Sequence, residues 1–146
     1  MDLRKIREMV AKDMPIDGTE LDLESLKIPQ LHNKYLNLYS DEKLVAKKLE
    51  FDYKALRKLK WEYYTGKLDE DRLKELEWEP FDLKILKADL DKYLESDSDL
   101  HSLYMKLEYQ KEKIDYLENV LKSINGRQWN IRGAIEWRKF INGVGG

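Results

Sequence analysis

The chain has 146 residues, of which 42% are apolar and 38% charged, and it contains no cysteine. That length buries enough surface for a core without staples, and that composition is too apolar for a disordered tail. The missing thiols exclude disulfides, thiol catalysis and Cys-ligated zinc. The net charge of −2 conceals two basic islands: residues 41–67 carry 8 basic and 5 acidic side chains, and residues 120–146 carry 5 and 1. Between them, residues 68–100 carry 5 basic and 12 acidic side chains. Surface charges are screened beyond about 10 Å at moderate salt, so a polyanion responds to an island and not to the total. Seven glycines and three prolines supply too few turns for a many-stranded sandwich or barrel. No long apolar run occurs and the first 15 residues are charged throughout, which predicts neither a transmembrane span nor a signal peptide. The expectation is a soluble, intracellular, all-α protein.

Asp2 to Asp13 places Leu3, Ile6, Met9 and Val10 on one side and predicts a short amphipathic helix, broken by Pro15 and Gly18. Thr19 is the expected N-cap of the next helix, with Glu20 and Asp22 in its first turn. That helix is expected to be interrupted near Pro29 and to continue through Leu31, Tyr35 and Leu38. Ser40 or Asp41 is then expected to cap a separate helix running to Tyr64. In it Val45, Leu49, Leu56, Leu59 and Tyr63 share one face, and Lys43, Lys47, Lys54, Arg57 and Lys58 lie on the other. Thr65-Gly66-Lys67 ends it, with Gly66 suited to the left-handed C′ position.

Residues 69–79 are acidic and read as loop or frayed helix, and Pro80 as the start of a helix running to Glu95. Ser96-Asp97-Ser98-Asp99 offers several N-caps. From there Leu100, Leu103, Leu107, Gln110, Ile114, Leu117, Leu121 and Ile124 step alternately by three and four, a heptad seam. Asn125-Gly126 is expected to stop it, and a final helix to run from about Arg127 to Ile141 before residues 143–146 fray. The chain thus divides into a helical region, residues 1–100, and a C-terminal helical region, residues 101–146, within one compact unit.

No catalytic chemistry is nominated. Gly66-Lys67 and Gly126-Arg127 lack the further glycine and Ser/Thr of a phosphate loop. His32 and His101 have no second His or Cys at ligand spacing, and the carboxylates of residues 68–100 alternate with Lys and apolar residues as solvated faces do. The expectation is a non-enzyme with no metal and no cofactor.

The run from Lys54 to Lys67, ending Tyr63-Tyr64-Thr65-Gly66-Lys67, resembles the signature of the phage recombination mediator family UvsY, where a basic helix ends in a Tyr-Tyr-Ser/Thr-Gly-Arg/Lys turn. The likeness extends upstream through Ile16-Asp17-Gly18-Thr19-Glu20-Leu21 and Lys34-Tyr35-Leu36-Asn37, and downstream through Leu86-Lys87-Ala88-Asp89-Leu90-Asp91. The tail shares the pattern Arg127, Trp129, Ile131, Arg132, Arg138, Phe140, Gly143. The resemblance implies a mediator that binds single-stranded DNA as a hexameric or heptameric ring in the cytoplasm of the bacterial host. It implies two protein partners: a RecA-like UvsX-type recombinase, which the mediator helps to load, and the single-strand-binding protein that the recombinase replaces. Lys58 and Lys60 occupy the family's DNA-binding positions just before the Tyr-Tyr turn; at the second, Lys stands at an Arg-like position, keeping the charge without the planar fork.

The residues read alone agree in part. Gripping single strands takes cations along the phosphates and exposed rings on which bases stack. Lys54, Arg57 and Lys58 share a face, Lys60 and Lys67 lie beside it, Trp61 projects with the basic stripe and Tyr64 lies on its flank. The competing reading packs Trp61 on a neighbouring helix and leaves the lysines merely solvated. The expected assembly residues are Trp129, Ile131, Ile135, Trp137 and Phe140, because a short terminal helix with large rings needs a cover. The seam from Leu100 to Ile124 serves either assembly or the interior of one subunit. The basic residues Arg127, Arg132, Arg138 and Lys139 face either DNA or acidic neighbours. The rival function is a helical oligomeric adaptor whose lysines meet an acidic protein and never DNA.

Overall fold

A computed structural model describes residues 1–143, and within them every regular element is a helix. Helix α1 (Leu3–Asp13) is capped by Asp2, whose carboxylate accepts the Lys5 N–H at 2.8 Å. Helix α2 (Leu21–Leu26) starts one residue later than expected: Glu20 holds the cap position without a side-chain bond. Thr19 instead donates its N–H and hydroxyl to Asp17, closing a local turn. Lys27 separates α2 from α3 (Ile28–Tyr64), and Pro29 sits in the first turn of α3, where a missing N–H costs no helical bond.

Two expected boundaries are absent. Helix α3 passes through Ser40 and Asp41 without a cap, and α6 (Ser98–Ile141) passes through Asn125 and Gly126. The reason is the same in both. Buried positions continue across the supposed breaks, from Tyr35 to Glu42 and Ala46 in α3, and from Ile124 to Arg127 and Ile131 in α6. Burial of a large aliphatic side chain contributes about 1.5–3 kcal/mol, against about 1 kcal/mol for a helical glycine. There is thus no separate C-terminal helix.

Between the long helices lie α4 (Glu70–Leu76), capped by Asp69, a 3-10 turn (Lys87–Asp89) and α5 (Leu90–Glu95). Pro80 does not start a helix. Residues 80–86 are irregular, and Phe81 is drawn into a ring cluster. At the end of α3, Gly66 (φ 72°) donates to the Tyr63 carbonyl and Lys67 to the Glu62 carbonyl. These are the two bonds of a Schellman cap, as the sequence predicts for Gly66. The expected fraying beyond Gly143 lies outside the described residues.

The chain forms two compact units, residues 1–43 with 112–146 and residues 44–111. They do not coincide with the expected regions 1–100 and 101–146, because α6 runs through that division. In the first unit Ile6 of α1, Tyr35 of α3 and Leu117, Val120, Leu121 and Ile124 of α6 make one core. In the second, Ala46, Leu94, Leu100 and Leu107 are buried. Of the heptad seam, Leu100, Leu107, Gln110, Leu117, Leu121 and Ile124 are buried within the chain, and Leu103 and Ile114 are half-buried.

Candidate nucleic-acid interface

The second unit carries the Lys54–Lys67 run. Along α3 the inward positions are Ala46, Leu49, Tyr53, Leu56, Lys60 and Tyr63, again stepping by three and four. Lys60 is consequently not beside the basic stripe but opposite it, 6% exposed. Its ammonium lies 2.7 Å from an Asp99 carboxylate oxygen, 3.1 Å from one of Asp97, and 4.1 Å from the Trp78 ring centroid. A cation so enclosed is matched by carboxylates of its own chain. Tyr64 also turns inward. Its hydroxyl donates to Asp97 at 2.6 Å, and its ring meets Phe81 edge-on at 4.9 Å and Tyr93 at 5.6 Å.

Asp97 is the hub of this cluster, for it also accepts the Leu100 N–H at 2.9 Å and so caps α6. Burial pushes its carboxyl up, but the Tyr64 hydroxyl, the Leu100 N–H and the Lys60 ammonium outweigh burial and hold it below the usual carboxylate range. Burial, then the bond to Asp97, pushes the Tyr64 phenol up. A carboxyl with a lowered pKa contributes stability that is present above its unfolded value of 3.8 and lost as pH falls below it. A phenol with a raised pKa contributes stability that is present below its unfolded value of 10.0 and lost above it. The thermal midpoint is expected to fall on both sides of a neutral plateau, and Tyr64→Phe to shrink the alkaline fall, as read by circular dichroism melts.

The opposite face of α3 is what solvent sees. Lys47, Lys54 and Lys58 are exposed, and Arg57 is half-buried at the flank. Trp61 is 37% exposed and has the Lys67 ammonium 4.0 Å from its ring centroid. Positions 54, 58 and 61 step by four and three and so share one strip of the helix. Phe51, which the sequence reading passed over, is 73% exposed on the same side. The helical wheel signals it: Phe51 falls just beyond Lys58, next to Lys47, and across the helix from Leu49, Leu56 and Tyr63. The structure thus brings together Lys54, Lys58, Trp61 and Lys67 on one surface, keeps Arg57 at its edge, and withdraws Lys60 and Tyr64.

In the first unit the expected assembly residues also separate. Ile131 is 2% exposed and belongs to the interior, being the next seam position after Arg127. Trp129, Trp137 and Phe140 are well exposed, and Ile135 is partly so. Trp137 stacks on Phe140 at 5.6 Å, and the Arg132 guanidinium lies 5.3 Å from the Trp129 ring centroid. Arg127 is buried, donating to Glu24 at 3.0 Å and to the Met14 carbonyl at 2.6 Å. Arg138 donates to the Gly18 carbonyl. Among the described residues no helix is long and apolar enough to cross a membrane.

Comparison with known proteins bears on the whole chain. The family described as recombination, repair and ssDNA binding protein UvsY matches residues 9–144. Recombination protein uvsY of Enterobacteria phage T4 is 27% identical over 143 residues, which covers 98% of this chain and 99% of that protein. Two crystal structures of the bacteriophage T4 recombination mediator protein UvsY align with 27% identity. For lattice type IV the TM-score is 0.84, covering 96% of this chain and 99% of that one; for lattice type II it is 0.85, covering 97% and 98%.

Proposed function

Because the chain belongs to the UvsY family of recombination, repair and single-stranded-DNA-binding proteins, we propose that it holds the DNA on the exposed strip of α3. There it serves to load a RecA-like, UvsX-type recombinase in place of single-strand-binding protein. Lys54, Lys58 and Lys67 meet phosphates, with Arg57 at the edge, and Phe51 and Trp61 offer rings to unpaired bases. Lys60 and Tyr64 brace the helix from behind. The carrying observation is two exposed rings set among lysines on a single helix face, an arrangement that a purely ionic contact with an acidic protein does not call for. No chemical step is involved; binding alone does the work, in the cytoplasm of the bacterial host.

One subunit offers only three or four phosphate contacts, which binds weakly and with steep salt dependence. Repetition of the strip around a homo-oligomeric ring of six or seven subunits makes later contacts intramolecular, gaining roughly 10²- to 10⁴-fold. Trp129, Trp137 and Phe140, with Ile135, are the exposed apolar residues through which we infer that subunits associate.

The test is fluorescence anisotropy with oligo-dT. Trp61→Ala and Phe51→Ala are each expected to cost about 1–3 kcal/mol per stacked base, roughly 5- to 150-fold in affinity, with the salt slope unchanged. Wild-type affinity in both variants returns the strip to the adaptor reading.

A further inference from the structure

The strip of α3 runs into a groove that its own residues do not explain. Residues 81–90 lie alongside the end of the helix and enclose with it a cavity of about 450 Å³, walled by Trp61, Leu83, Leu86 and Leu90 over a floor of Tyr64 and Phe81. The floor is built, since those two rings meet edge-on at 4.9 Å and both contact Tyr93. The upper wall is open to water: Leu83 and Leu86 are 63% and 73% exposed on a segment without regular structure. Two exposed leucines facing an indole form an apolar slot that water leaves readily.

The rim has the opposite character. Lys84 and Lys87 also line the groove, and Lys67 lies over the Trp61 ring, whereas Asp82 is its one acidic lining residue. Gly66 also lines the groove, and a Cβ built there finds nothing within 4 Å, so the groove is open on that side. An apolar peptide fills such a slot but leaves three ammonium groups without partners. An acidic peptide satisfies the ammonium groups and leaves the leucines wet. A chain that alternates flat, weakly polar rings with negative groups satisfies both, and its backbone is already expected on Lys54 and Lys58.

We propose that this groove is a base-binding subsite of the DNA interface: one unstacked nucleobase enters between the Trp61 indole and the Leu83–Leu86 wall. The flanking phosphates engage Lys67, Lys84 and Lys87. The Lys67 ammonium that rests on the indole in the free chain is drawn to the phosphate, which clears the ring face for the base. The proposal rests on reading the α3 strip as the single-stranded-DNA interface, and it adds residues 83–87 to it.

The deciding comparison uses two strands of equal length at one salt concentration, oligo-dT and an abasic deoxyribose-phosphate strand, each read by anisotropy. Leu83→Ser with Leu86→Ser is expected to weaken oligo-dT binding 5- to 50-fold while changing abasic binding less than twofold. Lys54→Ala with Lys58→Ala is expected to weaken both strands alike. A groove variant that holds oligo-dT as wild type does, or that loses both strands equally, overturns the subsite; if the lysine variant still loses both strands, the strip itself stands. If neither variant loses affinity, the strip and the subsite fall together. Should the double variant melt below wild type, Leu86→Ala alone carries the same comparison between strands.

Discussion

Lys60→Ala is expected to lower the stability of the chain by about 3–5 kcal/mol, the usual result of removing one partner of a buried ion pair. The loss of attraction is the smaller part of that figure. Asp97 keeps its Tyr64 and Leu100 donors but becomes a buried carboxylate without a cation, and Trp78 loses the ammonium lying 4.1 Å from its ring centroid. Lys60→Met keeps the side-chain length and is expected to remain the more stable of the two, though still below wild type. Urea denaturation followed at 222 nm measures both. If Lys60→Ala instead unfolds at the wild-type midpoint while DNA affinity drops, then Lys60 is not committed to its internal partners, and the arrangement around Asp97 is wrong. The distinction matters for any study of binding. A variant combining Lys58→Ala with Lys60→Ala would mix an exposed phosphate contact with an internal brace, and its weak binding would say little about either.

The second large effect belongs to binding alone. For single strands, log K falls with log salt at about 0.7 per phosphate contact. Removing three contacts with Lys54→Ala, Lys58→Ala and Lys67→Ala should therefore reduce the slope by about 2 and cost roughly 100-fold in affinity near 0.1 M monovalent salt. All three side chains are exposed, so the denaturation midpoint should barely move. The pairing of outcomes is the diagnostic: unchanged midpoint with a shallower slope for the triple variant, and a shifted midpoint for Lys60→Ala. A triple variant with the wild-type slope would remove the strip from the interface.

How far the sequence alone reaches depends on which interaction decides each feature. The Gly66 turn was legible because only the local backbone decides it, and Gly66 indeed carries the positive φ of a C′ residue. The heptad seam was legible because alternation by three and four is a direct image of one buried face. The breaks at Asp41 and Gly126 were misread because capping and glycine are local signals, and burial on either side overrides them. Pro80 was misread in the reverse sense: its fixed φ suits a helix start, but Phe81 leaves for the rings of Tyr63, Tyr64 and Tyr93. Lys60 shows the same limit at the site. Its step from Leu56 and Tyr63 already sets it on the apolar side, yet charge type suggested the surface. Only the distant Asp97 and Asp99, supplied from the start of α6, make an inward lysine tolerable. The groove walled by Leu83 and Leu86 left no sequence signal, since irregular segments have no period to read.

Arg127 and Lys60 each stand where a zipper of leucines would place one more leucine, and each meets a carboxylate from a different helix, Glu24 of α2 and Asp99 of α6. Aliphatic teeth are interchangeable, so a purely greasy zipper can close one notch out of step at little cost. A keyed tooth cannot: sliding α6 by a single heptad would leave the guanidinium of Arg127 with no Glu24 to receive it. Charges in the interior thus act as alignment marks, and a redesign that swapped them for leucine would trade a unique closure for a tolerant one.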